Sequence, residues 1–141
     1  MKKIVFVLMT VFLVSCSSSI KPTESKSLFE VLTQQPDGGA SIRFFEILSE
    51  SKEIAMLQND EKLKNKIHPN DILTSNFVVL NMGEKTTGGY KIGIESVVET
   101  DKNIIITVKE TIPEPSAMVS QVMTYPYCIV KINSKKEIII K

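Results

Sequence analysis

Tryptophan is absent, aromatic residues make up only 6%, and there is a single histidine. With so few aromatics, Ile and Val must carry the packing of any core. The lone His68 sits in a turn beside Pro69 and, with two cysteines in the chain, does not make a metal-ligand set. It also leaves any Ser-His-Asp arrangement with one possible base, and no nucleophile elbow surrounds a serine. Glu110 and Glu114 could be imagined as an acid–base pair, but they flank a proline loop, where surface charge is the simpler reading. No catalytic residue, cofactor or metal is assigned, and enzyme activity is not expected. Long basic runs are missing too. The formal charge is +1, which argues against nucleic acid as a partner.

No apolar run reaches the roughly 20 residues needed to cross a bilayer as a helix. The longest, Ile4 to Val14, follows Lys2 and Lys3 and has the length of a signal-peptide hydrophobic region. It ends in Leu13-Val14-Ser15-Cys16, which resembles a bacterial lipobox. That resemblance implies cleavage before Cys16 and lipid on its sulfur, with acyl chains holding the protein on a membrane. Residues 1–15 are then a lipoprotein signal peptide, and their loss takes the charge from +1 to −1. The other cysteine, Cys128, lies in an apolar strand pattern and reads as a small buried hydrophobe without a disulfide partner. Ser17 follows Cys16 where an aspartate often signals inner-membrane retention, so the outer membrane of the bacterial envelope is the expected location.

Residues 16–27 are polar, aperiodic and contain Pro22, as a flexible tether does. Residues 28–141 read as one β-rich domain. An apolar run at Leu28–Leu32 and a strand over Ser41–Leu48, joined through Asp37-Gly38-Gly39, suggest a hairpin. Both faces of the second strand are partly apolar, which predicts a central or covered position. Ser49 to Lys66 is the one expected helix, capped by Ser49 or Ser51, with Asn59-Asp60 as a break point. Asn76–Asn81 is a continuous apolar strand. Tyr90–Val98 and Ile104–Glu110 alternate as a half-buried antiparallel pair around Thr100–Asn103. Pro113 and Pro115 exclude the next segment from a ladder. Tyr125–Ile132 is a strand with Pro126 at its start, a candidate cis peptide. Glu137–Ile140 is expected to pair back on it. The fold class is therefore α+β: a mainly antiparallel sheet of about seven strands with one helix, or alternatively a small β-sandwich.

Thr86-Thr87-Gly88-Gly89-Tyr90 is the sharpest local feature. Two glycines suit a tight hairpin turn, with positive φ expected at Gly89. No Gly-Lys-Ser/Thr follows, so it is not a P-loop. Gly83-Glu-Lys-Thr-Thr-Gly-Gly-Tyr-Lys-Ile-Gly-Ile94, then Glu110-Thr-Ile-Pro113, Val119-Ser-Gln121 and Thr124-Tyr-Pro126, resemble the C-terminal domain of the protease complex subunit PrcB family over residues 83–132. Ser116-Ala117 and Thr86 depart from the pattern, where glycine and proline are frequent. The resemblance implies an exported, lipid-anchored, non-catalytic subunit that binds or stabilises a bacterial protease. Thr86, Thr87, Gly88, Gly89, Tyr90, Gln121 and Tyr125 are the expected protein contacts, on a rim shared by Thr86–Tyr90 and the Pro113–Pro126 loops. A second reading is a protease inhibitor, because Thr86-Thr87-Gly88 also resembles the Thr-Thr-Gly loop of chagasin-like inhibitors.

Overall fold

The computed structural model describes residues 27–141. The expected signal peptide (1–15), the expected lipidation site Cys16 and nearly all of the expected tether (16–27) lie outside the described residues. Within them the chain forms β1 (Phe29–Gln35), β2 (Phe44–Leu48), α1 (Ser51–Gln58), α2 (Asp71–Thr74), β3 (Asn76–Asn81), β4 (Lys91–Glu99), β5 (Asn103–Thr111), β6 (Tyr127–Ile132) and β7 (Glu137–Ile140). Four strands make one antiparallel sheet in the order β1-β6-β3-β2. Three make a second, in the order β4-β5-β7. The fold is α+β and mainly antiparallel, with the strands divided between two facing sheets.

β3 shows why the architecture has three layers. Asn-Phe-Val-Val-Leu-Asn is apolar on both faces, so both faces need cover. Val78 and Leu80 face the second sheet, where they pack with Ile92, Ile104, Ile106, Cys128, Val130 and Ile132. Phe77 faces the other way, onto Leu32, Leu48, Ile54, Leu63, Ile67 and Ile129. The helical segment thus covers one face of the large sheet and the small sheet covers the other. On the helical face Lys131 is buried, 3.5 Å from the equally buried Asp71 and 3.0 Å from the exposed Glu30. Burial pulls the Lys131 pKa down, but the Glu30 and Asp71 carboxylates outweigh it and leave it raised.

Several connections differ from those the sequence suggests. β1 and β2 are not a hairpin: they lie at opposite edges of the sheet, with β6 and β3 between them. β2 is accordingly an edge strand, and Phe44 and Ile47 stay partly exposed. The helix expected over Ser49–Lys66 is only Ser51–Gln58, and residues 59–66 form turns. α1 stops at the Asn59-Asp60 break, and α2 follows separately. The N-cap of α1 is Glu50 rather than a serine; the Glu53 carboxylate accepts from the Ser49 and Glu50 N–H groups. β7 does not return to β6. It runs parallel to β5 in the other sheet, so the turn at 133–136 switches layers. The β4–β5 hairpin forms as expected, with a bulge at Glu95. Every described peptide bond is trans, Tyr125–Pro126 included.

Candidate protein-contact rim

Asn81 ends β3 at one end of the sandwich and is 1% exposed. Its Nδ2 donates to Ala40 O at 2.8 Å and Ile42 O at 2.6 Å, while its Oδ1 accepts from Ala40 N–H at 3.0 Å. One side chain thereby fixes the loop at 36–43. Gly39 must lack a Cβ here, because one would collide with Asn81 Oδ1 and lie 2.7 Å from Tyr125 O. Asp37 Oδ1 accepts from Tyr125 N–H at 3.0 Å, and Tyr125 O accepts from Gly39 N–H at 2.8 Å. Neither Asn81 nor Asp37 is signalled by local sequence, since both act on partners about 40 to 90 residues away.

Beyond Asn81 the chain does not turn back as a hairpin. β3 and β4 belong to different sheets, and residues 82–90 cross between them. The crossing is held by the loop before β6. Met82 N–H donates to Pro126 O at 2.9 Å, and Gly88 N–H donates to Ser120 O at 2.9 Å. Lys85 and Thr124 exchange N–H to O bonds at 2.8 and 2.9 Å. The Thr124 hydroxyl donates to Thr87 O at 2.8 Å. Gly89 has the positive φ expected of it, +91°, beneath Pro113 and Val119. The N–H groups of Lys85 and Gly88 are engaged within the protein, so they are not a free cradle for an anion.

The loops at 36–43, 82–90 and 112–126 therefore form one rim. Of the residues singled out from sequence, Thr86 and Gln121 are exposed on it. Thr87 is half-buried and Gly88 is buried, so these two serve the packing of the loop. Gly89 has its backbone at the surface. Tyr90 is half-buried against the inter-sheet core, with Lys85 Nζ 5.5 Å from its ring centroid. The Tyr125 hydroxyl donates to Glu84 Oε2 at 3.1 Å, and that bond, with the Glu84 charge, raises its pKa.

Several exposed side chains of the rim are apolar. Met118 is fully open at 103%, and Ile42, Ile112, Val122 and Met123 range from 53% to 75%. The sequence carried a signal for this. Ala117–Met123 is apolar yet lies between the Pro113/Pro115 pair and Pro126, where no ladder can form to bury it. Concavities elsewhere are small. The one between β1 and β4 holds about 150 Å³, and one between α1 and the large sheet about 230 Å³. Ligand pockets usually hold roughly 300–1,000 Å³. Glu110 is engaged with Arg43 at 3.0 Å rather than paired with Glu114. Among the described residues no group of three or more His, Cys, Asp or Glu is placed to hold a metal. Cys128 is fully buried between the sheets, and burial pushes its thiol up to about 11.

Residues 76–133 match the family model described as PrcB C-terminal. Over that segment the chain is similar to the PrcB C-terminal family. The segment runs from β3 to the end of β6 and so contains the crossing at 82–90 and the whole 112–126 loop. The matched segment thus supplies two of the three rim loops, while the third and the helical layer come from residues before it. No curated protein and no solved structure matches the chain.

Proposed function

We propose that the protein is a non-catalytic, lipid-anchored envelope protein that serves as an accessory subunit of a bacterial protease, using the loop rim as its contact. One observation carries the reading. Within the matched segment, two loops are tied together by main-chain bonds while Ile112, Met118, Val122 and Met123 are left exposed. Apolar side chains displayed on a braced loop are costly to leave in water and suit a protein partner. Cys16 supplies the anchor, and the outer membrane is the proposed location.

Crosslinking of the native lipoprotein in its own envelope, followed by pull-down and mass spectrometry, tests this. A protease recovered in near-equal amount supports the accessory-subunit reading. Recovery of the chain without a protease refutes it. The inhibitor reading has less geometric support: Gly88 and Thr87 are packed against residues 120–124, which leaves Thr86 as the projecting part of that loop. Assays against a panel of proteases separate the two readings.

A further inference from the structure

The two sheets have four edge strands, and three of them are blunted against further pairing. β1 carries a bulge between Val31 and Thr33, and its Leu32 O accepts from Lys66 Nζ. Gln34 Nε2 reaches from β1 to Ile92 O on β4 at 2.8 Å, and β4 has its own bulge at Glu95. β7 has only four residues, between Lys136 and Lys141. Bulges, lysines and short length are common ways to protect a sheet edge. β2 has neither bulge nor lysine. It pairs with β3 in unbroken register over Phe44–Leu48, and among the described residues nothing but β3 bonds its main chain. Alternate residues of β2 therefore hold N–H and C=O groups out to solvent.

The side chains beside that edge leave room for one more strand. Leu48 lies opposite Phe77 and faces the helical layer, so Glu46 and Phe44 face the same way. A strand added beyond β2 would sit about 4.8 Å away. Its side chains on that face would meet the notch of about 230 Å³ lined by Leu48, Glu46, Leu57 and Met56, the last 72% exposed. Glu46 has no salt-bridge partner among the described residues. The other charges nearby are engaged or lie outside the notch. Glu50 and Glu53 cap α1, Arg43 is held by Glu110, Lys135 donates to Ser49 O, and Lys52 does not line the notch. We propose that the outer edge of β2 takes an extended segment of a partner protein as a fifth strand, with Lys or Arg opposite Glu46 and apolar residues two places to either side, opposite Phe44 and Leu48. Main-chain bonds supply the attachment, and the pairs on the Glu46 face select the sequence. A second copy is a poor occupant, because β2 paired on itself in full register sets Glu46 against Glu46. The proposal stands apart from the accessory-subunit reading, which the pull-down tests.

The test uses the isotope-labelled full-length chain in detergent and an array of short peptides. Each peptide carries Lys, Arg, Gln or Glu at its centre and Val, Ile, Leu or Phe two places to either side. The expected result is binding of Lys and Arg peptides about fivefold or more tighter than their Glu counterparts. Amide shifts should fall on 44–48 and α1, and N-methylation of alternate peptide residues should abolish binding. Glu46→Lys should invert the preference and Glu46→Gln should flatten it. Glu46 is exposed, so both variants should melt with wild type. Three results overturn the proposal: no array member binding at about millimolar concentration, shifts that fall elsewhere, or a preference that Glu46→Lys leaves unchanged. A dimer in sedimentation whose contact maps to 44–48 also overturns it, as the edge is then taken by a second copy.

Discussion

Gly89→Ala tests how the rim is built. Gly89 has φ +91°, a conformation that costs an L-residue about 1–2 kcal/mol. The added Cβ would also sit 2.8 Å from Pro113 Cβ and 2.9 Å from Val119 Cγ1. A proline ring and a β-branched side chain yield little, and overpacking of this kind costs roughly 1–3 kcal/mol. Partial relaxation of the loop brings the expected total to about 3 kcal/mol, a large share of the 5–15 kcal/mol that stabilises a domain. For a domain of this size that is a fall in melting temperature of about 10 °C. Gly88→Ala is the control. Its φ is not positive, and its Cβ would meet mainly Ser120 Oγ, at 2.5 Å, which can rotate away. That variant should stay within about 1 kcal/mol of wild type. Thermal melts by circular dichroism of the three proteins decide the matter. The reasoning is refuted if Gly89→Ala melts with wild type, or if Gly88→Ala falls as far.

Asn81→Ala should lose about 3 kcal/mol, near 1 kcal/mol for each of its three hydrogen bonds, and loosen the 36–43 loop; a urea melt and amide exchange at Ala40 report both. Asp71→Asn leaves the buried Lys131 with only the exposed Glu30 and should cost up to about 3 kcal/mol in a denaturant melt. Because the Lys131 pKa is raised on folding, the ion pair's contribution is fully present below the ordinary value of 10.5 and lost only as pH rises through the higher folded value. Stability near neutral pH should therefore not change on account of Lys131. Cys128, with its thiol at about 11, should resist maleimide in the native protein at neutral pH and react on unfolding; rapid native labelling would contradict its burial.

Local patterns made most strands legible, because apolar alternation and continuous apolar runs are set by residues close in sequence. β3, the β4–β5 hairpin and β6 all fall where those patterns put them. Pairing was much less legible. Asp37-Gly38-Gly39 has the chemistry of a hairpin turn, yet the same chemistry lets the chain cross to the far edge of a sheet. Glu137–Ile140 reads as a strand, but nothing in four residues says whether β6 or β5 will receive it. The helix over 49–66 was overextended, because its apolar stripe continues into turns that bury Leu63 and Ile67 without being helical. At the rim, the meeting of 86–90 with 113–126 was anticipated from sequence. Asn81 and Asp37 were not, since a side chain that braces a distant loop leaves no local mark.

β6 pairs with β1 on one side and β3 on the other, so the large sheet has no continuity without it. Phe29 meets Ile132 across most of the described domain, and such remote pairings form late and slowly. A growing polypeptide therefore has β1 and β3 in hand long before anything can join them. A chain ending before Tyr127 is not a shorter protein lacking a tail. It is an unpaired β1 and a β2–β3 pair with an open edge and Phe77 and Val78 bared, material for proteolysis or aggregation. Synthesis gives a usable domain only once its final strands are available.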